Sequence, residues 1–266
     1  MRSRGTALNP ANRYQPRHIE RVELAVDDAG EPTPDSVATQ VIAEPVKSII
    51  SRNQSPDIPF DRSINPYRGC EHGCIYCYAR PSHAWWDFSP GLDFETRLIA
   101  KPNAVARLRE AFERNGYVPS PIGLGMNTDA YQPIEKTWKI TRGLLEVMLE
   151  YRHPVTLITK SALILRDLDL LSALAGQGLC HVRVSLTSLD NPLKASLEPR
   201  AAGPAARLNV IRTLSAAGIP TGVMLAPIIP FINDHELEDL LSAAHKAGAQ
   251  VADWILLRLP LEVAPL

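Results

Sequence analysis

Three of the chain's four cysteines lie within eight residues, in the stretch NPYRGCEHGCIYCYAR at residues 65–80. Cys70, Cys74 and Cys77 have the spacing C-x3-C-x2-C, and no second cysteine pair accompanies them. Structural zinc sites generally close four positions with two C-x2-C pairs or with added histidines. Iron–sulfur clusters are held by cysteine thiolates, usually four, so three thiolates would leave one iron of a four-iron cluster without a protein ligand. The spacing therefore indicates a metal centre with one open position.

Three other side chains in the sequence are candidates for a fourth ligand. His72 or His83 would turn the three cysteines into a Cys3His zinc site, which is the alternative to an iron–sulfur cluster. Cys180 precedes a predicted strand, whereas the cysteine motif follows one. A strand of about six residues would separate the two by roughly 20 Å, so we interpret Cys180 as an ordinary buried thiol.

Short apolar or alternating runs alternate with amphipathic segments from residue 60 onward. Six strands are predicted, at residues 61–66, 122–126, 155–159, 181–187, 220–226 and 253–259. Apolar residues at helical spacing predict five helices between them, with stripes beginning at Val105, Ile140, Leu168, Leu208 and Leu237. This alternation predicts an α/β fold with parallel strands, a partial (βα)6 TIM-like barrel. The cysteines follow the first strand and therefore lie at the rim formed by the carboxyl ends of the strands.

The two ends of the chain differ from this repeating pattern. Residues 1–60 are rich in proline and charged residues, which predicts an irregular N-terminal arm followed by a barrel domain at 61–266. We interpret the arginines of the arm as a solvated tail rather than a nucleic-acid contact; they are Arg2, Arg4, Arg13, Arg17 and Arg21. No sixth helix follows the sixth strand, so we expect that a C-terminal part of the barrel is missing.

The composition sets limits on location and partners. Apolar residues make up 45% of the 266 residues, enough for a large core, and the formal net charge is −1. That charge gives no general attraction to nucleic acid or to anionic membranes. No apolar run is long enough to span a membrane, and the polar N-terminus lacks the apolar core of a secretory signal. We expect a cytoplasmic monomer that does not bind membranes.

Four stretches together resemble one known family. The cysteine segment, GMNTDAYQPIEK, VTLITKSALILRDLDLL and VMLAPIIPFIND are similar to the radical S-adenosylmethionine (SAM) superfamily, in particular the branch related to spore photoproduct lyase and the DNA repair photolyase-like proteins. The resemblance implies a [4Fe–4S] cluster on Cys70, Cys74 and Cys77 whose open iron binds SAM. An electron from a reductant such as flavodoxin or ferredoxin would pass through the cluster to SAM and release a 5′-deoxyadenosyl radical, which would take hydrogen from the substrate.

The resemblance also implies contacts to the adenine and amino group of SAM. Tyr76 would face the adenine, although simple packing beside the cluster is an alternative. The superfamily usually grips the methionine amino group with a Gly-Gly-Glu-like segment, which this chain lacks. Thr128 or Asp129 would take its place, and the alternative for Asp129 is a turn residue.

Three further residues are expected near SAM. Lys160, at the end of the third strand, would pair with the methionine carboxylate unless it is a solvated rim charge. Ser185 on the fourth strand would contact the ribose or the carboxylate. Arg200 would hold a carboxylate through two hydrogen bonds, with a surface arginine as the alternative. No catalytic side chain is assigned.

The aromatic residues after the cysteines have two possible roles, one of which would indicate the class of substrate. Tyr78, His83, Trp85 and Trp86 would shield the cluster or, as the alternative, stack on the bases of a nucleic acid. The favoured function is a radical SAM enzyme that acts on a nucleic-acid lesion, as in lyase-like DNA repair. The alternatives are a radical SAM enzyme for a protein, peptide or small metabolite, and a zinc-stabilised binding module without turnover.

Overall fold

The computed structural model describes residues 4–14, 38–54 and 60–265. The strands of these residues are β1 (Gln40–Ala43), β2 (Ile50–Arg52), β3 (Arg62–Ile64), β4 (Tyr67–Arg68), β5 (Arg97–Ala100), β6 (Ile122–Leu124), β7 (Val155–Thr159), β8 (Cys180–Ser185), β9 (Thr221–Ile228) and β10 (Val251–Leu256). The α-helices are α1 (Asp93–Thr96), α2 (Ala104–Phe112), α3 (Glu135–Trp138), α4 (Ile140–Glu150), α5 (Leu168–Ala175), α6 (Asn191–Leu197), α7 (Pro204–Ala216) and α8 (Leu237–Lys246). Short 3₁₀ segments lie at Arg80–Trp86, Ala162–Asp167, Asp234–Glu236 and Leu261–Val263.

The main sheet contains seven strands in the order β10-β9-β8-β7-β6-β3-β2. Every neighbouring pair is parallel except β2 and β3, which are antiparallel. The six parallel strands correspond to the six predicted ones, and α2, α4, α5, α7 and α8 correspond to the five predicted helices. The predicted α/β fold with parallel strands is therefore confirmed.

The core lies between the sheet and the helices that cross over between its strands. In α4 the predicted stripe is buried, with Leu144, Val147 and Met148 fully enclosed. Leu124 on β6 pairs in register with Ile64 on β3 and with Leu157 on β7, and all three side chains are buried. Burial of this apolar surface drives the strands together and sets which strand ends share a rim.

A second, smaller sheet was not predicted. It has the order β1-β5-β4, with β1 parallel and β4 antiparallel to the central β5. β4 leads directly into the cysteine loop, which we define as residues 69–79. The small sheet therefore fixes where that loop starts.

The described parts of the N-terminal arm, residues 4–14 and 38–54, are more ordered than the sequence predicted. β1 and β2 lie within the arm, and residues 4–14 make hydrogen bonds to the barrel domain. Arg4 donates to the carbonyl of Glu95, and Arg13 pairs with Glu262, so neither is a solvated tail residue. Arg2, Arg17 and Arg21 lie outside the described residues. The domain division at residue 60 stays a prediction.

The last parallel strand, β10, is the edge of the main sheet, and all six of its residues are exposed. The chain then returns toward the segment Arg80–Trp86, and Val263 is buried there. Among the described residues, no helix has both the length and the apolar character to cross a membrane.

Replacing Leu124 with alanine should destabilise the protein by about 2–5 kcal/mol, because the substitution leaves a cavity in a core that cannot fully collapse. The matched control is Val118→Ala, since Val118 is 68% exposed and its loss should change stability by about 0.5 kcal/mol or less. Urea unfolding followed by circular dichroism measures both changes. Equal midpoints for the two variants would contradict the assignment of Leu124 to the core.

Candidate metal centre

The three clustered cysteines lie in the cysteine loop, beyond the carboxyl end of β3. Cys70 and Cys74 are buried, Cys77 is half-buried, and all are free thiols. Burial, and then the charge of Asp129, raises the pKa of Cys70 well above its usual range. Burial likewise raises the pKa of Cys74 to about 12, and it raises that of Cys77. The thiols are therefore protonated at neutral pH, and a metal must displace their protons when it binds.

Two glycines give the cysteine loop its shape. Gly69 and Gly73 have φ angles of +71° and +69°, a left-handed conformation that other residues rarely adopt. A Cβ atom on Gly69 would lie 2.7 Å from the carbonyl oxygen of Phe94, and one on Gly73 would lie 2.9 Å from Oε2 of Glu95. The loop can therefore turn tightly enough to present all three thiols only with glycine at both positions.

The side chains around the cysteine loop bear on whether it would hold a single zinc ion or an iron–sulfur cluster. Among the described residues, no group of three His, Cys, Asp or Glu side chains is arranged to hold one metal ion. Each of the two histidines proposed as zinc ligands has one ring nitrogen engaged: His72 Nδ1 lies 3.3 Å from Asp129 Oδ2, and His83 Nε2 lies 2.9 Å from the carbonyl oxygen of Arg97. The other nitrogen of His83 is buried without a hydrogen-bond partner among the described residues. A zinc ion needs all its donors at about 2.0–2.3 Å, whereas the thiolates of a cluster bind separate irons. Three free thiols within one loop are the donor set of an iron–sulfur cluster with one open iron, and the residues present fit such a cluster.

Cys180 lies far from this centre along the sheet. It is the first residue of β8 and pairs in register with Val155, the first residue of β7. Both residues are at the amino end of the parallel strands, opposite the cysteine loop. Cys180 is buried, and burial raises its pKa to about 12, as for an ordinary core thiol.

Side chains from the loop after β6 hold the backbone of the cysteine loop. The Gln132 amide donates to the carbonyl of Gly69 at 3.1 Å and accepts from the N–H of Glu71 at 3.1 Å. Thr128, which was predicted to contact SAM, donates its hydroxyl to the same Gly69 carbonyl at 2.6 Å. Gln132 thus binds the backbone on both sides of Cys70. Sequence reasoning missed it, because a single glutamine in a loop gives no chemical signal.

Asp129 joins the same loop to the end of β7. Its carboxylate accepts hydrogen bonds from the N–H of Tyr131, the Thr159 hydroxyl and the N–H of Lys160, each at 2.8 Å, besides the His72 contact. Burial disfavours the charge, but His72 and the backbone donors outweigh it and lower the pKa of Asp129 to about 2. A carboxylate has about four lone-pair positions. The predicted contact of Asp129 with an ammonium stays a prediction and would require one of these bonds to open.

The structure brings Tyr76, Lys160 and Ser185 together around one buried carboxylate. Lys160 Nζ donates to Ser185 Oγ at 2.6 Å and lies 3.4 Å from Glu198 Oε1. The Tyr76 hydroxyl donates to the same carboxylate, and Arg207 forms an ion pair with it. The predicted SAM-binding residues at the ends of β7 and β8 therefore share one charged network.

Glu198 and Arg207 were not predicted as members of this network. Both side chains are almost completely buried, at 0% and 2% exposure. Burial disfavours the charge of Glu198, but Arg207 and then Lys160 outweigh it and hold its pKa well below the usual range. Arg207 lies in the first turns of α7, where an arginine in a sequence is typical of a solvent-facing position.

Arg200 contacts the cysteine loop rather than the Glu198 network. Its backbone N–H donates to the carbonyl of His72 at 3.1 Å, and Nη2 lies 3.2 Å from Glu71 Oε1. Its side chain keeps 27% exposure. The proposed bidentate contact of Arg200 with a carboxylate of SAM stays a prediction.

The aromatic residues after the cysteines divide into two pairs. His83 is buried, and Trp86 is half-buried with the Arg68 guanidinium 3.4 Å from its ring centre. Tyr78 and Trp85 are 58% and 68% exposed, and Trp85 packs against Tyr14 at 5.1 Å between ring centres. The inner pair packs within the protein, whereas the outer pair is largely exposed, with the Tyr78 hydroxyl hydrogen-bonded to the carbonyl of Met126.

Comparisons with known proteins agree with this arrangement. The Radical SAM superfamily profile matches residues 64–244, from the end of β3 into α8. An uncharacterized protein of Mycobacterium tuberculosis is 38% identical over 194 residues, which are 72% of this chain and 57% of that protein. The chain thus spans little more than half the length of this relative.

Solved structures share the fold at low sequence identity. A spore photoproduct lyase mutant with bound AdoMet and dinucleoside spore photoproduct aligns with a TM-score of 0.62 and 16% identity, over 85% of this chain and 64% of that one. Streptococcus suis SuiB bound to the precursor peptide SuiA aligns with a TM-score of 0.51 and 16% identity, over 74% of this chain and 39% of that one. At this level of sequence identity, the structural similarity shows a shared fold.

Replacing Glu198 with glutamine should destabilise the protein by about 3–5 kcal/mol, because it leaves the buried charges of Arg207 and Lys160 without a counter-charge. The control is Glu150→Gln, which breaks the exposed pair with Arg109 and should leave the unfolding midpoint unchanged. Thermal and urea unfolding measure both. If the two variants have the same unfolding midpoint, the network around Glu198 does not stabilise the folded protein as the structure indicates.

Proposed function

The chain belongs to the Radical SAM superfamily, and on that premise we propose that it holds a [4Fe–4S] cluster on Cys70, Cys74 and Cys77 and cleaves SAM reductively. Membership in the family implies an iron–sulfur cluster and SAM as cofactors. The observation that carries the proposal is a loop with three free thiols, two of them buried, at the carboxyl rim of a parallel sheet, with the fourth cysteine at the opposite rim. When bound, the cluster supplies the electron that cleaves the sulfonium and releases the 5′-deoxyadenosyl radical.

The protein's own residues hold and enclose this centre. Gln132 fixes the backbone around Cys70, and Arg80 donates to the carbonyl of Cys74 at 3.0 Å. The fully buried Arg80 also pairs with the fully buried Glu95. These contacts orient the thiols before metal binds, and burial keeps water from the loop.

The network around Glu198 supports a SAM site beside the cysteine loop. Tyr76 belongs to the loop itself, and its hydroxyl is fixed by Glu198, so its ring is available to pack against the adenine. Lys160 has three donors, of which the contacts to Ser185 and Glu198 use two. We assign the remaining donor to the methionine carboxylate, with Ser185 and Arg200 as further contacts.

A nucleic-acid lesion is the substrate we propose, in a reaction resembling that of spore photoproduct lyase. Two features support it: the likeness of four sequence stretches to that branch, and the exposed side chains of Tyr78 in the cysteine loop and of Trp85 after it. A base in duplex DNA would have to be extruded to reach the centre. The position of Cys180 at the opposite rim argues against a radical donor role for this thiol.

A protein or peptide substrate is the alternative, and the shared fold with peptide-bound SuiB keeps it open. A small metabolite is a further alternative. The reductant, cytoplasmic location and monomeric state proposed from the sequence remain proposals.

Replacing Cys74 with alanine should abolish both cluster formation and SAM cleavage, because one iron loses its thiolate. The control Cys180→Ala should retain both. Anaerobic reconstitution should give about four irons per wild-type chain and a broad brown absorption; incubation with SAM and dithionite should then give 5′-deoxyadenosine. A Cys74→Ala variant that still produces it would overturn the ligand assignment. One tightly bound zinc in the wild type would favour the non-catalytic binding module.

Replacing Trp85 with alanine should weaken binding of single-stranded oligothymidylate by about fivefold or more, because stacking on an aromatic ring contributes about 1–3 kcal/mol per base. The matched control is Trp254→Ala on β10, since Trp254 is 63% exposed but lies on the sheet edge. Fluorescence anisotropy measures the affinities, and chromatography measures loss of a dinucleoside spore photoproduct in the presence of SAM and dithionite. Absence of both binding and photoproduct loss in the reconstituted wild type would direct attention to peptides.

A further inference from the structure

We propose that residues 4–14, the N-terminal segment, position the cysteine loop and thereby determine how firmly the protein retains its metal centre. The inference rests on the proposed function in taking Cys70, Cys74 and Cys77 as the ligands. The N-terminal segment is about sixty residues from the cysteine loop in sequence, and it contributes no ligand itself.

Gly5 makes the closest contact between the two. A Cβ atom on Gly5 would lie 1.8 Å from the carbonyl oxygen and 2.7 Å from the carbonyl carbon of Gly73. Both are backbone atoms of a residue in the left-handed conformation, so neither can move aside as the end of a flexible side chain would. The two backbones therefore touch directly between Cys70 and Cys74, and only glycine fits at position 5.

A chain of buried charges connects this contact to Cys74. The N–H of Gly5 donates to Glu95 Oε2 at 2.8 Å, and the other oxygen of Glu95 pairs with Arg80 at 2.5 Å. Nε of Arg80 donates to the carbonyl of Cys74 at 3.0 Å. Glu95 and Arg80 are both completely buried, so the Gly5 N–H satisfies part of a carboxylate that water cannot reach.

A second connection leads from Arg4 to the residue after Cys70. Arg4 donates to the hydroxyl of Thr39 at 2.9 Å, and Thr39 donates to Glu71 Oε1 at 2.5 Å. The N–H of Glu71 is the group that Gln132 binds. The N-terminal segment therefore supports the loop at Glu71 and Gly73, between the first two cysteines.

Further along, the same segment is fixed to the part of the domain that follows the cysteines. The amide of Asn9 exchanges two hydrogen bonds with Asp93, each at 3.1 Å. The carbonyl of Leu8 accepts from the N–H of Leu92 at 2.9 Å, and Asn12 donates to the carbonyl of Ala84 at 2.8 Å. These bonds hold Gly5 against Gly73, although nothing in the local sequence would order so polar a segment.

The experiment compares Gly5→Val with Ala7→Val, which adds a branched side chain to the same segment at an exposed position. Hydrogen–deuterium exchange of the metal-free full chain reports on amides of the cysteine loop, and it does so without any activity measurement. Gly5→Val should raise their exchange rate by about tenfold or more, because displacing the segment opens the loop locally. Amides of β7 and β8 should keep wild-type rates in both variants, which shows that the fold is intact.

Iron retention gives the second measurement. After anaerobic reconstitution, the loss of cluster absorption to a chelator should be about tenfold faster in Gly5→Val than in wild type, and unchanged in Ala7→Val. Asn9→Ala removes the bonds to Asp93. It should also raise the exchange rate of the loop amides and the rate of cluster loss, each by a smaller factor than Gly5→Val.

These measurements distinguish a failure of the proposed function from a failure of the inference about the N-terminal segment. If the wild-type chain takes up no cluster, the proposed function fails, and the N-terminal segment has no metal centre to support. If the wild type is loaded but Gly5→Val matches Ala7→Val in loop exchange and in iron release, the proposed function stands and the inference about the segment is wrong.

Discussion

The cysteine loop depends on partners for its backbone, because it has little regular secondary structure of its own. Buried carbonyl and N–H groups outside helices and sheets must find other hydrogen-bond partners. Thr128 and Gln132 bind the carbonyl of Gly69, Gln132 binds the N–H of Glu71, and Arg80 binds the carbonyl of Cys74. The arrangement of the three thiols is thus decided by side chains from the loop after β6 and from the segment after the cysteines, and every proposal about the metal centre depends on these contacts.

Buried charge is distributed around the centre as matched pairs. Glu95 pairs with Arg80 and Glu198 with Arg207, and both carboxylates lie beside the cysteine loop or the strand ends that face it. A buried ion that loses its partner is costly, because the remaining charge is not solvated. These pairs therefore give the site a fixed geometry. They also connect three chain regions, residues 4–14, the cysteine loop and the end of β8, that are far apart in sequence.

Family membership and substrate choice rest on different parts of the molecule. The family follows from the sequence between β3 and α8 and from the centre at the carboxyl rim. The substrate is selected by surfaces around that centre, and the same fold accommodates a dinucleoside photoproduct in one solved structure and a precursor peptide in another. The exposed side chains of Tyr78 and Trp85 are the part of this surface on which the proposal of a nucleic-acid substrate rests. The chain spans 57% of the mycobacterial relative, so this comparison identifies the family of the matched region and not the activity of the whole protein.

The sequence alone determined the six parallel strands, the five main helices and the cysteine motif, because hydrophobic periodicity and residue spacing are local properties. It also placed Cys180 at the opposite rim, since a strand separates its two ends by a fixed rise per residue. Only the tertiary structure decided that Gln132 holds the backbone around Cys70, that Glu198 and Arg207 join Tyr76 to Lys160, and that residues 4–14 pack against Gly73. Those contacts join residues far apart in the chain. Their partners are ordinary polar side chains or glycine, whose role depends on what the fold brings next to them rather than on any pattern in their neighbours.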